Sequence, residues 1–319
     1  MANTTTTEVS QAVNYFYDRV MLKKAMPLLV HAQWAQVRDL PRNAGMSIRF
    51  RRYTLLNAAT TPLSEGTTPS GSQLAITNVD ATLRQYGDFL TLTDQLVFST
   101  LDPILTETAE LLGQQAGNTL DQLVRAVLIA ATTIQYASTA TDNDTITSAM
   151  KITKAEIQEA VRTLKQNNAR KITSQIDPST GFNTSPVPAC FIGIVHPNTT
   201  YDLKDITGFI RVEEYPAGRA VMEGEVGALD EVRFVESTNA YYVANATPIN
   251  VYYTLILASD AYAISRISGE ALKNIIHPLG SAGSADPLNQ RQTSGWKATF
   301  AAKILNESFM VCLRHAVSS

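Results

Sequence analysis

Along this chain the spacing of apolar residues changes repeatedly, and each change predicts a different element. Val9, Val13, Phe16 and Val20 recur at helical spacing until Pro27 interrupts them. Residues 1–44 read as an arm, either packed on its own domain or laid on a neighbouring subunit. Met46, Ile48 and Phe50 then alternate with Ser47, Arg49 and Arg51, the period of a half-buried strand. A polar stretch, NAATTPLSEGTTPSGSQLAITN, follows. Alternation returns in VDATLRQYGDFLTLTD, with Val79, Ala81 and Leu83 in one phase and Leu90 and Leu92 in the other. Gly87 lies between them and predicts a bulge or bend. Two strands joined by a long polar excursion predict an extended hairpin over residues 45–95.

From Asp102 to Thr133 the period becomes helical. Leu105, Ala109, Leu112, Ala116, Leu120, Leu123, Val127 and Ala131 fall on one face. Asp102 is a suitable N-cap and Pro103 a suitable first residue. Glu107 and Glu110 lie near the positive end of the helix dipole. Such a rod spans about 45 Å. Gly113 and Gly117, one turn apart, predict a closely packed neighbour. A second helix is predicted after Thr153 and Glu156, which have capping-box spacing. Its apolar face is Ile157, Val161 and Leu164, and KQNNARK stops it.

Beyond Ser185 the pattern turns mixed and dense. PACFIGIVHP predicts a short buried strand, NTTYDLKDI a short helix, and INVYYTLILASDAYAISRI a strand. Phe300, Ala302 and Ile304 share one phase while Phe309, Val311 and Leu313 share another. With a break near Asn306, this predicts a long or hairpinned terminal strand. The fold class is α+β.

Composition narrows the picture. The chain has 319 residues, 45% hydrophobic and 17% charged, with net charge −3. So little charge leaves a Thr/Ser/Asn/Gln surface, suited to a subunit packed against others. A basic tail that would grip DNA is missing. Met1 is followed by a Thr-rich tip without the charged flank and apolar core of a signal peptide, and no apolar run reaches membrane length, so intracellular synthesis is expected. Cys190 and Cys312 lie in apolar strand-like stretches and read as buried free thiols.

Candidate chemistry is sparse. His31, His196, His277 and His315 show no zinc-ligand spacing. Neither a GxSxG elbow nor a phosphate-binding glycine loop occurs. A hydrolase would have to be built around His196 with Asp202 or Asp205. No catalytic, cofactor or metal residue is assigned, and no enzyme activity is expected. Arg49, Arg51, Arg52 and Arg84 give the hairpin stem a positive bias, serving either as a solvated face or as contacts to acidic groups on a neighbour.

The order of parts, together with the strings FYDRVMLKKAMPLLV, PLSEGTTPSG, QYGDFLTLTDQ, VHPNTTYDLKD, GEVGALDEVRFVES and DPLNQRQTSGWK, resembles the major capsid proteins of tailed bacteriophages with the HK97-like capsid fold. That resemblance implies an N-terminal arm (1–44), an extended loop (45–95) and a peripheral domain (96–184) with a spine helix at 103–133. It further implies an axial domain (185–260) and C-terminal strands (261–319) returning to the peripheral/axial sheet. The implied function is self-assembly, as pentamers and hexamers, into an icosahedral head around double-stranded DNA. An encapsulin-like protein compartment shares the fold and is the alternative. A carbohydrate-binding decoration module would leave the spine helix unexplained. Candidate assembly contacts are Phe16, Tyr17, Trp34, Arg49, Arg51, Arg52, Glu65 and Arg84. Implied partners are a separate scaffolding protein, a portal, a cement or decoration protein and genomic DNA held without sequence readout, with no membrane. Assembly is expected in the host bacterial cytoplasm, ending in the virion. Some relatives cross-link through a lysine of the extended loop. No lysine lies between Lys24 and Lys151, so a non-covalent shell is expected.

Overall fold

The structure, a computed structural model, describes residues 30–54, 56–62, 65–66, 68, 71–99, 104–172, 189–215, 221–281, 283 and 286–318. The helical reading of the first 29 residues and the Asp102–Pro103 start of the long helix lie outside these. In chain order the elements are β1 (Gln36–Leu40), β2 (Ser47–Tyr53), β3 (Ile76–Thr82), β4 (Arg84–Thr93), α1 (Asp94–Ser99), α2 (Ile104–Ile129), β5 (Ile134–Tyr136) and α3 (Lys154–Gln166). The second half adds β6 (Phe191–Val195), α4 (Pro197–Lys204), β7 (Ile210–Arg211), β8 (Glu225–Leu229), β9 (Val232–Glu236), β10 (Tyr242–Ala244) and β11 (Asn250–Leu257). It ends with β12 (Tyr262–Ile267), β13 (Lys273–His277), β14 (Arg291–Ile304) and β15 (Met310–His315).

Helix α2 has 26 residues and so spans about 39 Å. It stops at Ile129, short of the predicted end. Ala130 and Ala131 donate to the carbonyls of Val127 and Leu128, a tightened last turn. Thr132 N–H and hydroxyl then both donate to the Glu307 carboxylate, at 2.9 and 3.2 Å, which draws the chain off the helix. The buried stripe also differs. It runs through Ala109, Leu112, Ala116 and Leu120 as predicted, then through Val124 and Leu128, while Leu123 and Val127 are half-buried. Each i+4 step advances about 40° around the rod. The stripe therefore winds, and α2 packs on β14 and β4 as well as on β11.

Those strands belong to two different sheets. The first has the order β1-β12-β14-β13, with β4 also paired to β14. The second runs β5-β15-β11-β6-β9-β8-β7, with β10 on β11. One face of the second sheet, with Ile192, Ile194, Leu255, Leu257 and Cys312, shares a core with α2. Its other face, with Phe191, Val195, Phe234, Ile256 and Val311, packs on Ile157, Val161 and Leu164 of α3 and Leu203 of α4. FIGIV is continuously apolar because it is covered on both sides. Helix α3 thus packs on the second sheet. It starts as predicted: Thr153 N–H donates to Glu156 Oε2 at 2.8 Å, and Asn168, at φ 55°, turns the chain out of it.

Three expectations change. The run from Ile249 to Ile267 holds two strands, because Asp260 at φ 59° turns the chain from β11 in the second sheet to β12 in the first. The C-terminal stretch is neither one strand nor a hairpin: β14 lies in the first sheet and β15 in the second. The two crossovers run side by side, with Leu305 and Asn306 N–H donating to the Ala261 carbonyl and Ala258 N–H to that of Phe309. Finally, Gly87 makes no bulge, since β4 and β14 pair without interruption from Thr93 to Arg84. A Cβ there would stand 2.5 Å from the Trp296 carbonyl oxygen, so the glycine permits close approach of two backbones.

Candidate assembly surface

The predicted hairpin is β2 paired with β3, in register from Ser47↔Thr82 to Tyr53↔Ile76. The alternation through Leu92 is divided between two sheets, because β4 leaves the hairpin to pair with β14. Leu83, between them, is the root. Its N–H donates to the Met46 carbonyl at 2.8 Å. Leu83 and Ala81 pack with Leu40 and Ala301, flanked by Ile48, Phe50 and Ile267.

Among the described residues the hairpin has no core of its own beyond the root. Tyr53 and Ile76 are a cross-strand pair, 57% and 47% exposed. Leu56 and Leu74 continue past them at 59% and 64%. A two-stranded ribbon is marginally stable in water by itself, and four large apolar side chains on it invite a covering surface.

The predicted contact residues divide into groups. Arg49 is bound within the hairpin: its Nε and Nη2 donate to the two Asp80 oxygens at 2.7 and 2.8 Å. The guanidinium holds the Asp80 carboxyl below its usual range. Arg51, Arg52 and Arg84 are exposed and make no ion pair among the described residues. Arg51 and Arg52 line a groove of about 460 Å³ with Arg38, Phe50, Asn306 and Phe309, between the hairpin root and the body. Glu65 is exposed in a turn of the excursion, beside Gly66 at φ 77°. Trp34 departs from the expectation: at 5% exposure it is packed in its own subunit's core. Phe16 and Tyr17 lie outside the described residues. Tyr53, Leu56, Leu74 and Ile76 are candidates that the sequence did not single out. Their signal was the apolar strings YTLL and QLAI at the two ends of the polar excursion. Leu288, 75% exposed in the loop between β13 and β14, gave no periodic signal.

The groups a hydrolase would need are occupied otherwise. His196 caps α4, its Nδ1 accepting from Asn198 N–H at 3.1 Å, and its ring packs on Tyr242 and Tyr252. Burial lowers its pKa. Asp202 accepts from the Ser318 N–H and hydroxyl. Asp205 ends α4. Cys190 and Cys312 are both buried. Among the described residues no group of three or more His, Cys, Asp or Glu is placed to hold a metal, and no helix is long and apolar enough to cross a membrane.

Comparison with known proteins agrees with this geometry. Residues 76–312 match the phage capsid protein family. A curated relative, the major capsid protein of Pseudomonas phage KPP21, is 28% identical over 123 residues, which cover 37% of this chain and 31% of the relative. The chain thus matches about a third of that relative's length. Solved structures share the fold. The capsid of Ralstonia phage GP4 aligns with TM-score 0.70 at 11% identity, covering 91% of this chain and 88% of that one. The cyanophage Pam1 capsid aligns with TM-score 0.65 at 14% identity, covering 91% and 93%.

Proposed function

The chain belongs to the phage capsid protein family, and on that premise we propose that it is the major coat subunit of a tailed-phage head, assembling as pentamers and hexamers around double-stranded DNA. The observation that carries this reading is the β2–β3 hairpin, with Tyr53, Leu56, Leu74 and Ile76 exposed beyond a well-packed root. A soluble monomer gains nothing from such a ribbon. A shell subunit gains reach over its neighbour, and repeated contacts around symmetry axes close the shell.

In this reading residues 1–44 are the arm, 45–95 the extended loop and 96–184 the peripheral part with α2 as spine. Residues 185–260 form the axial part, and 261–319 return through both sheets. The side-by-side placement of the two crossovers supports one stiff body carrying the hairpin. A separate scaffolding protein, a portal and a cement protein complete the assembly in the host cytoplasm. The finished wall touches DNA without reading its sequence, as a net charge of −3 allows.

Expression of the full chain with its genomic neighbours, followed by electron microscopy and a nuclease-protection assay, tests this. Closed shells protecting DNA are expected. Shells filled with protein would favour a compartment. A monomer under every condition would overturn the reading.

A further inference from the structure

Where the chain enters the described body, it is held by an unusual polar grip. His31 and Asp121 are both 0% exposed. The Asp121 carboxylate takes His31 twice: Oδ1 accepts the backbone N–H at 2.8 Å, and Oδ2 lies 2.9 Å from the ring Nδ1. Asn239 Nδ2 donates to the same Oδ2 at 2.9 Å. The His31 carbonyl accepts from the Tyr262 hydroxyl. One turn further along α2, Arg125 donates to the Asn239 carbonyl at 2.7 Å. Every polar handle of His31 except Nε2 is thereby engaged, by side chains from α2 and β12. Asn239, from the loop between β9 and β10, completes the carboxylate's set.

A grip through amide, carbonyl and ring fixes the backbone and side-chain torsions of one residue together. An apolar residue would anchor the chain as firmly without fixing its direction. Desolvating these groups gains little net stability, since buried pairs are often replaceable by apolar residues at no loss. Orientation is what the polar arrangement adds. Downstream the chain is already tied, because β1 pairs in parallel with β12 from Gln36↔Ala263 onward, and Trp34 is buried.

We propose that His31 and Asp121 form a keyed joint that fixes the direction of the chain at residue 30, and so determines how the preceding arm meets a second copy of this chain. This rests on the reading of residues 1–44 as an arm that contacts a neighbour. His31 and Asp121 are then positioning residues, acting on assembly through the arm.

The test uses the full chain with His31→Leu and Asp121→Leu combined, and Asn239→Ala as a milder variant in case the first does not fold. Three quantities are measured: the melting midpoint, amide exchange at residues 30–35 in the free subunit, and the yield and diameter of closed shells. The expected result is faster exchange at residue 31 and a shell yield lower by about tenfold in both variants, the scale of one unmet ordering cost, with the midpoint lowered in the leucine variant, where the residue-31 N–H and Asn239 Nδ2 lose their acceptor, and unchanged in Asn239→Ala. Wild-type yield and diameter from a variant whose residue-31 amide exchanges freely would overturn the joint. So would a midpoint that falls in step with yield in both variants, since that marks plain core stability. A third variant, Phe16→Ala with Tyr17→Ala, separates the two readings. Normal assembly of that variant removes the arm reading itself. Impaired assembly there, with normal assembly of the leucine variant, removes the joint alone.

Discussion

Replacing Tyr53 and Ile76 by threonine strips the hairpin of its exposed apolar pair while keeping residues that favour strands. Burying a large apolar side chain from water contributes ~1.5–3 kcal/mol. Ile76 and Tyr53 are still 47% and 57% exposed. About half of that contribution, roughly 1 kcal/mol each, is therefore left to be gained from a neighbour. Together the pair contributes ~2 kcal/mol per subunit, or about 30-fold in the concentration at which shells form. The free subunit should hardly notice, since exposed substitutions change stability by about 0.5 kcal/mol or less. Sedimentation across a concentration series gives the assembly threshold, and thermal melting by circular dichroism gives the subunit's stability. A threshold within twofold of wild type would refute the reasoning. So would a melting point that drops by several degrees, because the pair would then belong to the subunit's own fold.

Arg233→Met leaves the Glu225 carboxylate, 0% exposed, without its cation, although Tyr215 hydroxyl and Met222 N–H still donate to it. A loss of ~3–5 kcal/mol is expected, read as a lower denaturant midpoint. Gly87→Ala sets a methyl against the Trp296 carbonyl, and an overpacking cost of ~1–3 kcal/mol is expected by the same measurement. Burial pushes the His315 imidazole down to about 4. The unfolded chain takes up that proton below pH ~6.5, whereas the folded one does so only near 4. Stability is therefore fully present above pH ~6.5 and falls by about 3 kcal/mol on going down to pH 4. His315→Gln should flatten this part of the stability–pH curve relative to wild type. The Cys312 thiol is pushed up to about 11 by burial, so the folded subunit should resist alkylation at pH 8 and react once unfolded.

Local pattern revealed much of this fold. The Thr153–Glu156 capping box, the helix face of Ile157, Val161 and Leu164, and the doubly covered FIGIV strand depend on neighbours a few residues away, and short-range periodicity reports them. Sheet membership could not be read this way. Asp260 and Asn306 are ordinary turn residues, and nothing in their neighbourhood shows that the chain leaves one sheet for the other. The C-terminal end of the α2 stripe was misplaced for a related reason: both Leu123–Val127 and Val124–Leu128 are apolar, and packing against residues distant in sequence decides between them. Among the candidate contacts, the partner of Arg49 and the burial of Trp34 were not legible, because residue type does not reveal a partner. Asp80 stands opposite Arg49 only through hairpin register, and Trp34 is covered by elements distant in sequence.

Exposed apolar residues and structural coupling are divided unequally over the molecule. The two sheets are tied together by the winding stripe of α2 and by adjacent crossovers that share the Ala261 and Phe309 carbonyls. Gln115 fastens α2 to the first sheet, donating to Asp88 on β4 at 2.6 Å and accepting from Trp296 Nε1 on β14 at 3.0 Å. Relative rotation of the sheets would have to break several of these at once. The hairpin, by contrast, is attached among the described residues through a small cluster around Leu83, and its outer half displays Tyr53, Leu56, Leu74 and Ile76. A stiff body with an apolar ribbon on a narrow root can settle the ribbon onto differently angled neighbours without repacking its own core. That is what a subunit needs if the same sequence is to sit around both fivefold and sixfold axes.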